Sequence, residues 1–352
     1  VPYVLLAGFP KSGTTDFHNR LLAHPLIAPP WTKEPHYWTR DLFSMQCATQ
    51  AAHNRFDSKI LPILGSDSKI LPILGSYDCF YREYAKTFFS DATTAIVTNR
   101  GVGDSKLKGW NYPETTNNSQ ATKTSLAGVD YPMITIDSSA SSFWDSNNWD
   151  QIKENQNCSQ PVYLTADLIL RMNPNIRVIV LMREPVERLY SDYLFFSSTK
   201  TPEDFHSRVN SFIYHFNVCL SRHSVRHCAF DVRNMKHFWG RARLDVGLYD
   251  LYVSDWLERL PRDRLLIIRT EDYSNNTRHY IQQAFDFLQL PQLTDKAMSE
   301  MATMSRANTN MAKNSKPPMF EETKKILTNF YAKHKQNLAK LLDDDRFLWR
   351  DV

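Results

Sequence analysis

The apolar residues of this chain fall into two kinds of run. The short, nearly uninterrupted ones are Val1 to Ala7, Arg177 to Met182 and Leu265 to Ile268, and they have the character of strands covered on both faces. The longer ones recur at helical spacing: from about Thr14 to His24, where Pro25 stops it; from Thr165 to Met172, closed by Asn173-Pro174; and from Pro185, in the first turn, to about Phe196. Further helices are predicted near 203–221, 247–259, 277–289 and 320–342. Tyr131 to Ile136 predicts one more strand, Asp137-Ser138-Ser139 a helix start, and Lys33 to Trp38 a short extended segment. Strands alternating with helices predict a three-layer α/β sandwich with a mostly parallel central sheet. In such sheets ligands bind beyond the carboxyl ends of the strands.

From about 47 to 130 the periodicity lapses, and the residues there are rich in Asn, Thr, Ser and Gly. Within this region the ten residues Asp57 to Ser66 are copied as Asp67 to Ser76. Two copies are too few for a solenoid, so a duplication in a tolerant loop is expected. The chain of 352 residues therefore reads as one catalytic-sized domain, 1–352, with an irregular insertion. At 42% hydrophobic and 23% charged it can bury an ordinary core, and a net charge of +4 is too small to imply a nucleic-acid partner.

No stretch approaches the roughly 20 apolar residues that cross a bilayer. A chain that opens directly in a core strand is expected to be a fragment, with any anchor or targeting segment outside it. The five cysteines, Cys47, Cys79, Cys158, Cys219 and Cys228, leave at least one unpaired. With the sequons at Asn117, Asn157 and Asn275 they lean towards a secretory compartment.

Chemistry concentrates where strands meet helices. Gly8-Phe9-Pro10-Lys11-Ser12-Gly13-Thr14-Thr15 lies between the first strand and the first helix. There, helix-start N–H groups and the positive end of the helix dipole favour a phosphate. In G-x-x-x-x-G-K-[ST] the lysine follows the second glycine; here Thr14 stands in that place and Lys11 precedes Gly13 by two. Arg183, rather than a metal-holding acid, ends the strand 177–182, which argues against a kinase using ATP and Mg²⁺. Arg183 can fork onto a phosphate and Ser191, two turns on, can add a hydroxyl. Two anion sites in one crevice fit a nucleotide phosphorylated at both ends, with no metal required.

These residues, with Lys33 to Arg40, Phe143-Trp144-Asp145, Pro185 to Tyr193, the Cys219/Cys228 pair and Val246 to Tyr249, resemble the Golgi carbohydrate sulfotransferases. The resemblance spares only about 47–130. It implies a P-loop-like phosphosulfate loop for 3′-phosphoadenosine 5′-phosphosulfate (PAPS), with 3′,5′-ADP as product. It implies transfer to a sulfated glycosaminoglycan, specifically the 6-O position of N-acetylgalactosamine 4-sulfate in chondroitin or dermatan sulfate. Heparan sulfate as acceptor, or a non-catalytic glycan-binding module, are the alternatives. Lys11, Ser12, Gly13, Thr14 and Thr15 would hold the 5′ end, and Arg183 and Ser191 the 3′-phosphate. Tyr249 would pack near the cofactor, and Lys313, Ser315 and Lys316 would close over it. Glu34 is expected to be the general base, with His36 its competitor. Lys33, Tyr37, Trp38, Arg40 and Asp137 are expected at the acceptor. The resemblance also implies a Cys219–Cys228 disulfide and a Golgi lumenal protein with a type II membrane anchor outside this chain.

Overall fold

A computed structural model describes residues 2–30, 33–41, 123–126, 129–231, 242–307 and 317–352. The sequence repeat, Cys47, Cys79, the sequon at Asn117, and Lys313, Ser315 and Lys316 lie outside the described residues.

Five strands, β1 (Val4–Gly8), β2 (Ile27–Ala28), β5 (Ile134–Asp137), β6 (Arg177–Met182) and β7 (Leu265–Arg269), form one sheet in the order β2-β5-β1-β6-β7. All its pairings are parallel, with Gly8 opposite Leu181 and Met182 opposite Arg269. The apolar strands alternate as the pleat requires. Leu5, Ala7, Val178, Val180 and Met182 join one core, and Val4, Leu6, Ile179 and Leu181 the other.

On the first face lie α2 (Thr165–Met172), α3 (Pro185–Phe196), α4 (Pro202–Leu220), α6 (Tyr249–Leu257) and α10 (Glu321–Leu342); α5 (Val225–Phe230) follows α4. The second face is covered by α1 (Thr14–Leu21), α7 (Thr270–Asn275), α8 (Thr277–Phe287) and α9 (Asp295–Thr303). This is the three-layer architecture that the alternation of runs implies.

Two local expectations are corrected. The single strand expected over 131–136 is two. β4 (Val129–Pro132) pairs antiparallel with β3 (Lys123–Leu126) in a separate ribbon, and only Ile134–Asp137 enters the main sheet. Pro132 has no N–H to give a central ladder, so the chain changes partner there. The segment expected to be extended over 33–38 instead turns back on itself, and Tyr37–Asp41 form a π-helical turn in which Arg40 N donates to His36 O at 2.9 Å.

Sulfur atoms of Cys219, at the end of α4, and Cys228, on α5, are bonded, with Cα atoms 5.9 Å apart. Cys158 is a free thiol. No helix among the described residues is long and apolar enough to cross a membrane.

Candidate active site

Parallel strands place the carboxyl ends of β5, β1, β6 and β7 on one edge of the sheet, and the candidate residues gather there. The loop after β1 turns tightly: Phe9 N donates to Leu181 O and Ser12 N to Phe9 O. Gly8 has φ 135° and lies against the β6 backbone, where an added Cβ would stand 2.6 Å from Leu181 O. Gly13, φ 84°, precedes α1 with no side-chain cap, so the first-turn N–H groups of Thr14 and Thr15 have no intrahelical acceptor. Ser12 is fully buried, and its hydroxyl has no hydrogen-bond partner. A left-handed turn of backbone donors, the orphaned Ser12 hydroxyl and Lys11 together bring hydrogen-bond donors and positive charge to one loop, a combination that suits an anion. Lys11 holds its ammonium 3.8 Å over the ring of Phe195.

The turn after β6 is braced from several sides. Thr270, the first residue of α7, gives its hydroxyl to both Ser12 O (2.7 Å) and Met182 O (2.9 Å), tying the phosphate loop to the β6 end. Tyr249 donates to Arg183 O at 2.9 Å while its ring packs 4.2 Å from that of Phe9. Tyr249 is buried, so it shapes the turn from beneath and presents no face to a ligand. The Arg183 guanidinium is partly exposed and pairs with Glu187 at 3.3 Å, a surface contact that an incoming phosphate can displace. Ser191 is half-buried on α3. One residue before it, Tyr190 donates to Pro317 O at 2.6 Å, and the described chain resumes there after the basic stretch 313–316.

Lys33 to Arg40 is organised by a serine-rich segment 103 to 105 residues away: His36 N donates to Ser139 Oγ (3.0 Å), and His36 Nδ1 lies 2.7 Å from Ser141 Oγ. Glu34 is paired with Lys33, and its other carboxylate oxygen lies 3.6 Å from His36 Nε2. Burial would raise the Glu34 carboxyl, but His36 and Lys33 together outweigh that and hold it at about 2. Behind them His18, on α1, bonds Ser138 Oγ at 2.7 Å, and burial with the Lys33 charge lowers it to about 4 against the opposing pull of Glu34. Lys11, Glu34 and His36 all have positive φ, at 68°, 60° and 52°. These are three of the eight non-glycine residues with positive φ among the described residues, and the surroundings must hold that left-handed backbone in place.

Three expectations for the acceptor are corrected. Tyr37 and Trp38 are only 5% and 4% exposed and pack edge to face in the core, because the π-helical turn rotates them inward. Neither offers a ring to a sugar. Asp137 is fully buried and accepts Ser139 N at 2.9 Å, which makes it a bracket for the serine segment. Arg40 is exposed beside this turn.

The local sequence pattern gives no sign of the roles of Thr270, Ser141 and His18, and marks Ser139 only as part of a helix start. Thr270 follows β7 just as the loop follows β1, and that equivalence was its one available signal. Among the described residues a trio of potential metal ligands, Cys219, His227 and Asp231, comes together, but the Cys219 sulfur is bonded to Cys228 and offers no thiolate.

A family model described as Sulfotransferase domain matches residues 2–340. Carbohydrate sulfotransferase 15 of Mus musculus is 32% identical over 352 residues, 99% of this chain and 55% of that protein. The protein of the same name from Nototodarus sloanii is 34% identical over 145 residues, 41% of this chain and 90% of its own length. The chain thus spans about half the length of its mammalian relatives. A crystal structure of a sulfotransferase from Alicyclobacillus acidocaldarius has the same fold, with a TM-score of 0.50, 15% identity and 99% of both chains covered.

Proposed function

This chain belongs to the sulfotransferase-domain family, and from that premise we propose that it transfers the sulfuryl group of PAPS to a hydroxyl of a sulfated glycosaminoglycan. The reading extends to the 6-O position of N-acetylgalactosamine 4-sulfate in chondroitin or dermatan sulfate. It is supported by the kinship with carbohydrate sulfotransferase 15. The Cys219–Cys228 bond suits an oxidising lumen, and we assign the protein to the Golgi on the same footing.

One observation carries the chemistry: the backbone donors and Lys11 that follow β1 lie at the same sheet edge as the paired Glu34 and His36, which are held by the serines after β5. The acceptor oxygen attacks sulfur, the bond from sulfur to the phosphate oxygen breaks, and Glu34 takes the acceptor proton. Lys11 and the first-turn N–H groups of α1 meet the negative charge that grows on the departing oxygen. Arg183 and Ser191 would grip the 3′-phosphate, with Lys313, Ser315 and Lys316 closing from the segment that precedes Pro317. His36 would position Glu34 rather than replace it, because its Nε2 faces the Glu34 carboxylate at 3.6 Å while Ser141 holds its Nδ1. Lys33 and Arg40 would meet anionic groups of the acceptor.

Transfer of labelled sulfate from PAPS to a panel of desulfated and 4-sulfated chondroitin, dermatan and heparan acceptors, followed by disaccharide analysis, tests the reading. Glu34→Gln and Lys11→Ala should each reduce turnover by at least about a hundredfold. Undiminished incorporation by either would remove that residue from the chemistry.

A further inference from the structure

Most large apolar side chains of this protein are buried, yet the two that end α3 are not. Phe195 is 52% and Phe196 63% exposed, and they stand edge to face with centroids 4.8 Å apart. Their position is what matters. The Phe195 ring touches the ammonium of Lys11, so the pair begins where the phosphate cradle ends. On its far side the Phe196 ring lies 4.8 Å from the guanidinium of Arg243, which also covers the ring of Trp144 at 5.9 Å.

Arg243 is itself partly exposed and forks onto Asp192. Asp192 is buried and already faces the fully buried Arg188 at 3.7 Å. Asp245 also acts on Arg188, and Arg243 gives its Nε and Nη2 to Asp192 while remaining partly exposed. The carboxyl of Asp145 feels Arg40, His36 and Arg243 together, so Arg243 borders the same ground as the Glu34–His36 segment. A strip therefore runs from Lys11 across two aromatic rings to the partly exposed Arg243, whose pairing with Asp192 an anionic ligand could share, alongside the residues proposed to handle the proton.

We propose that Phe195, Phe196 and Arg243 form an acceptor subsite that takes a pyranose ring bearing an anionic group, the ring lying on Phe196 and the carboxylate or sulfate ester on Arg243. The ring's axial C–H face suits an aromatic surface, and a guanidinium donates to either oxyanion. A strip that starts at Lys11 holds the sugar within reach of the sulfuryl group. This deepens the sulfotransferase reading and rests on it.

The test separates the two. With wild-type protein and a 4-sulfated chondroitin oligosaccharide, Phe196→Ala should raise the acceptor KM by roughly tenfold, with Phe196→Trp restoring it. The KM for PAPS and the affinity for 3′,5′-ADP should not change. Arg243→Gln should erase the preference for anionic over neutral acceptors; carboxyl-reduced and desulfated oligosaccharides then show which group the arginine holds. An unchanged acceptor KM in Phe196→Ala would overturn the subsite while leaving the activity standing. Should the wild type transfer sulfate to no glycan, the activity reading falls. The subsite is then decided by titrating 3′,5′-ADP-saturated protein with the same oligosaccharides: binding weakened by Phe196→Ala upholds it, and no wild-type binding or an unaltered affinity overturns it.

Discussion

Acid should loosen this fold through a histidine that the interior keeps neutral beside the site. His18 is buried on α1, bonds Ser138 and faces the Lys33 ammonium and the Glu34 carboxylate; burial first, then the Lys33 charge, lowers it to about 4 from 6.5. Between those values the unfolded chain binds a proton that the folded chain refuses, so stability rises with pH across the window and falls as acid is added. A single site of this kind contributes fully above its unfolded value. It loses about 1.3 kcal/mol between pH 7.5 and 5.5, and about 3.4 kcal/mol well below pH 4, at 1.36 kcal/mol per pH unit. His24, lowered to about 4 by burial against the pull of the Pro291 carbonyl, adds a similar amount. Urea melts at several pH values, on the wild type and on His18→Asn, isolate the effect. The variant should lose roughly half of the wild-type slope between pH 7.5 and 5.5, whatever its own stability at neutrality. Equal slopes would refute the reasoning, and so would an NMR titration of His18 centred near its unfolded value.

The phosphate loop should tolerate change unequally at its two glycines. Gly8→Ala drives a Cβ to 2.6 Å from Leu181 O at a φ of 135°, and should cost at least about 3 kcal/mol in a urea melt. Gly13→Ala meets the Thr270 methyl at 3.5 Å and a Leu181 methyl at 3.9 Å, both ordinary contacts, so the left-handed φ costs about 1–2 kcal/mol and the protein should stay folded. Equal losses would mean that the Gly8 contact with β6 is looser than described. Cys219→Ser opens a short loop between α4 and α5 and should lower stability by about 2–3 kcal/mol in non-reducing buffer. A melt unchanged from the wild type would show that the bond does not constrain the unfolded chain.

The sheet was legible in the sequence because its strands are buried on both faces. Arg177 to Met182 has no polar residue after its first, and it forms β6 with those bounds. The same holds for Pro185 to Phe196, where proline in the first turn sets the start of α3. What local pattern could not show is which distant residue holds a segment in place. Glu34 and His36 adopt left-handed backbone because Ser139 and Ser141, more than a hundred residues on, bind His36. No hydrophobic period encodes that. An extended segment would turn the Tyr37 and Trp38 rings towards a ligand, whereas the π-helical turn buries both. Phe195 and Phe196 pose the opposite problem, since an apolar pair ending an amphipathic helix has the pattern of core, and only the fold reveals that both rings are exposed.

The placement of Glu34 carries a consequence for catalysis. A carboxylate held at about 2 is a poor proton acceptor, so the Lys33 and His36 contacts that depress it work against the role proposed for it. Handing the role to His36 does not resolve this while Glu34 is present, because Glu34 lies against its Nε2. The tension resolves if Lys33 is the movable partner. Its ammonium is a flexible point charge, and both the sulfuryl group and an anionic acceptor would compete with Glu34 for it. Drawing Lys33 away strips a cation from the carboxylate and raises its proton affinity only when the reactants are in place. His36, fixed by Ser139 and Ser141, would keep Glu34 aimed while that exchange occurs. The same arrangement holds the base weak in the empty site, where a carboxylate of ordinary basicity, unpaired in a partly buried cleft, would cost the fold more.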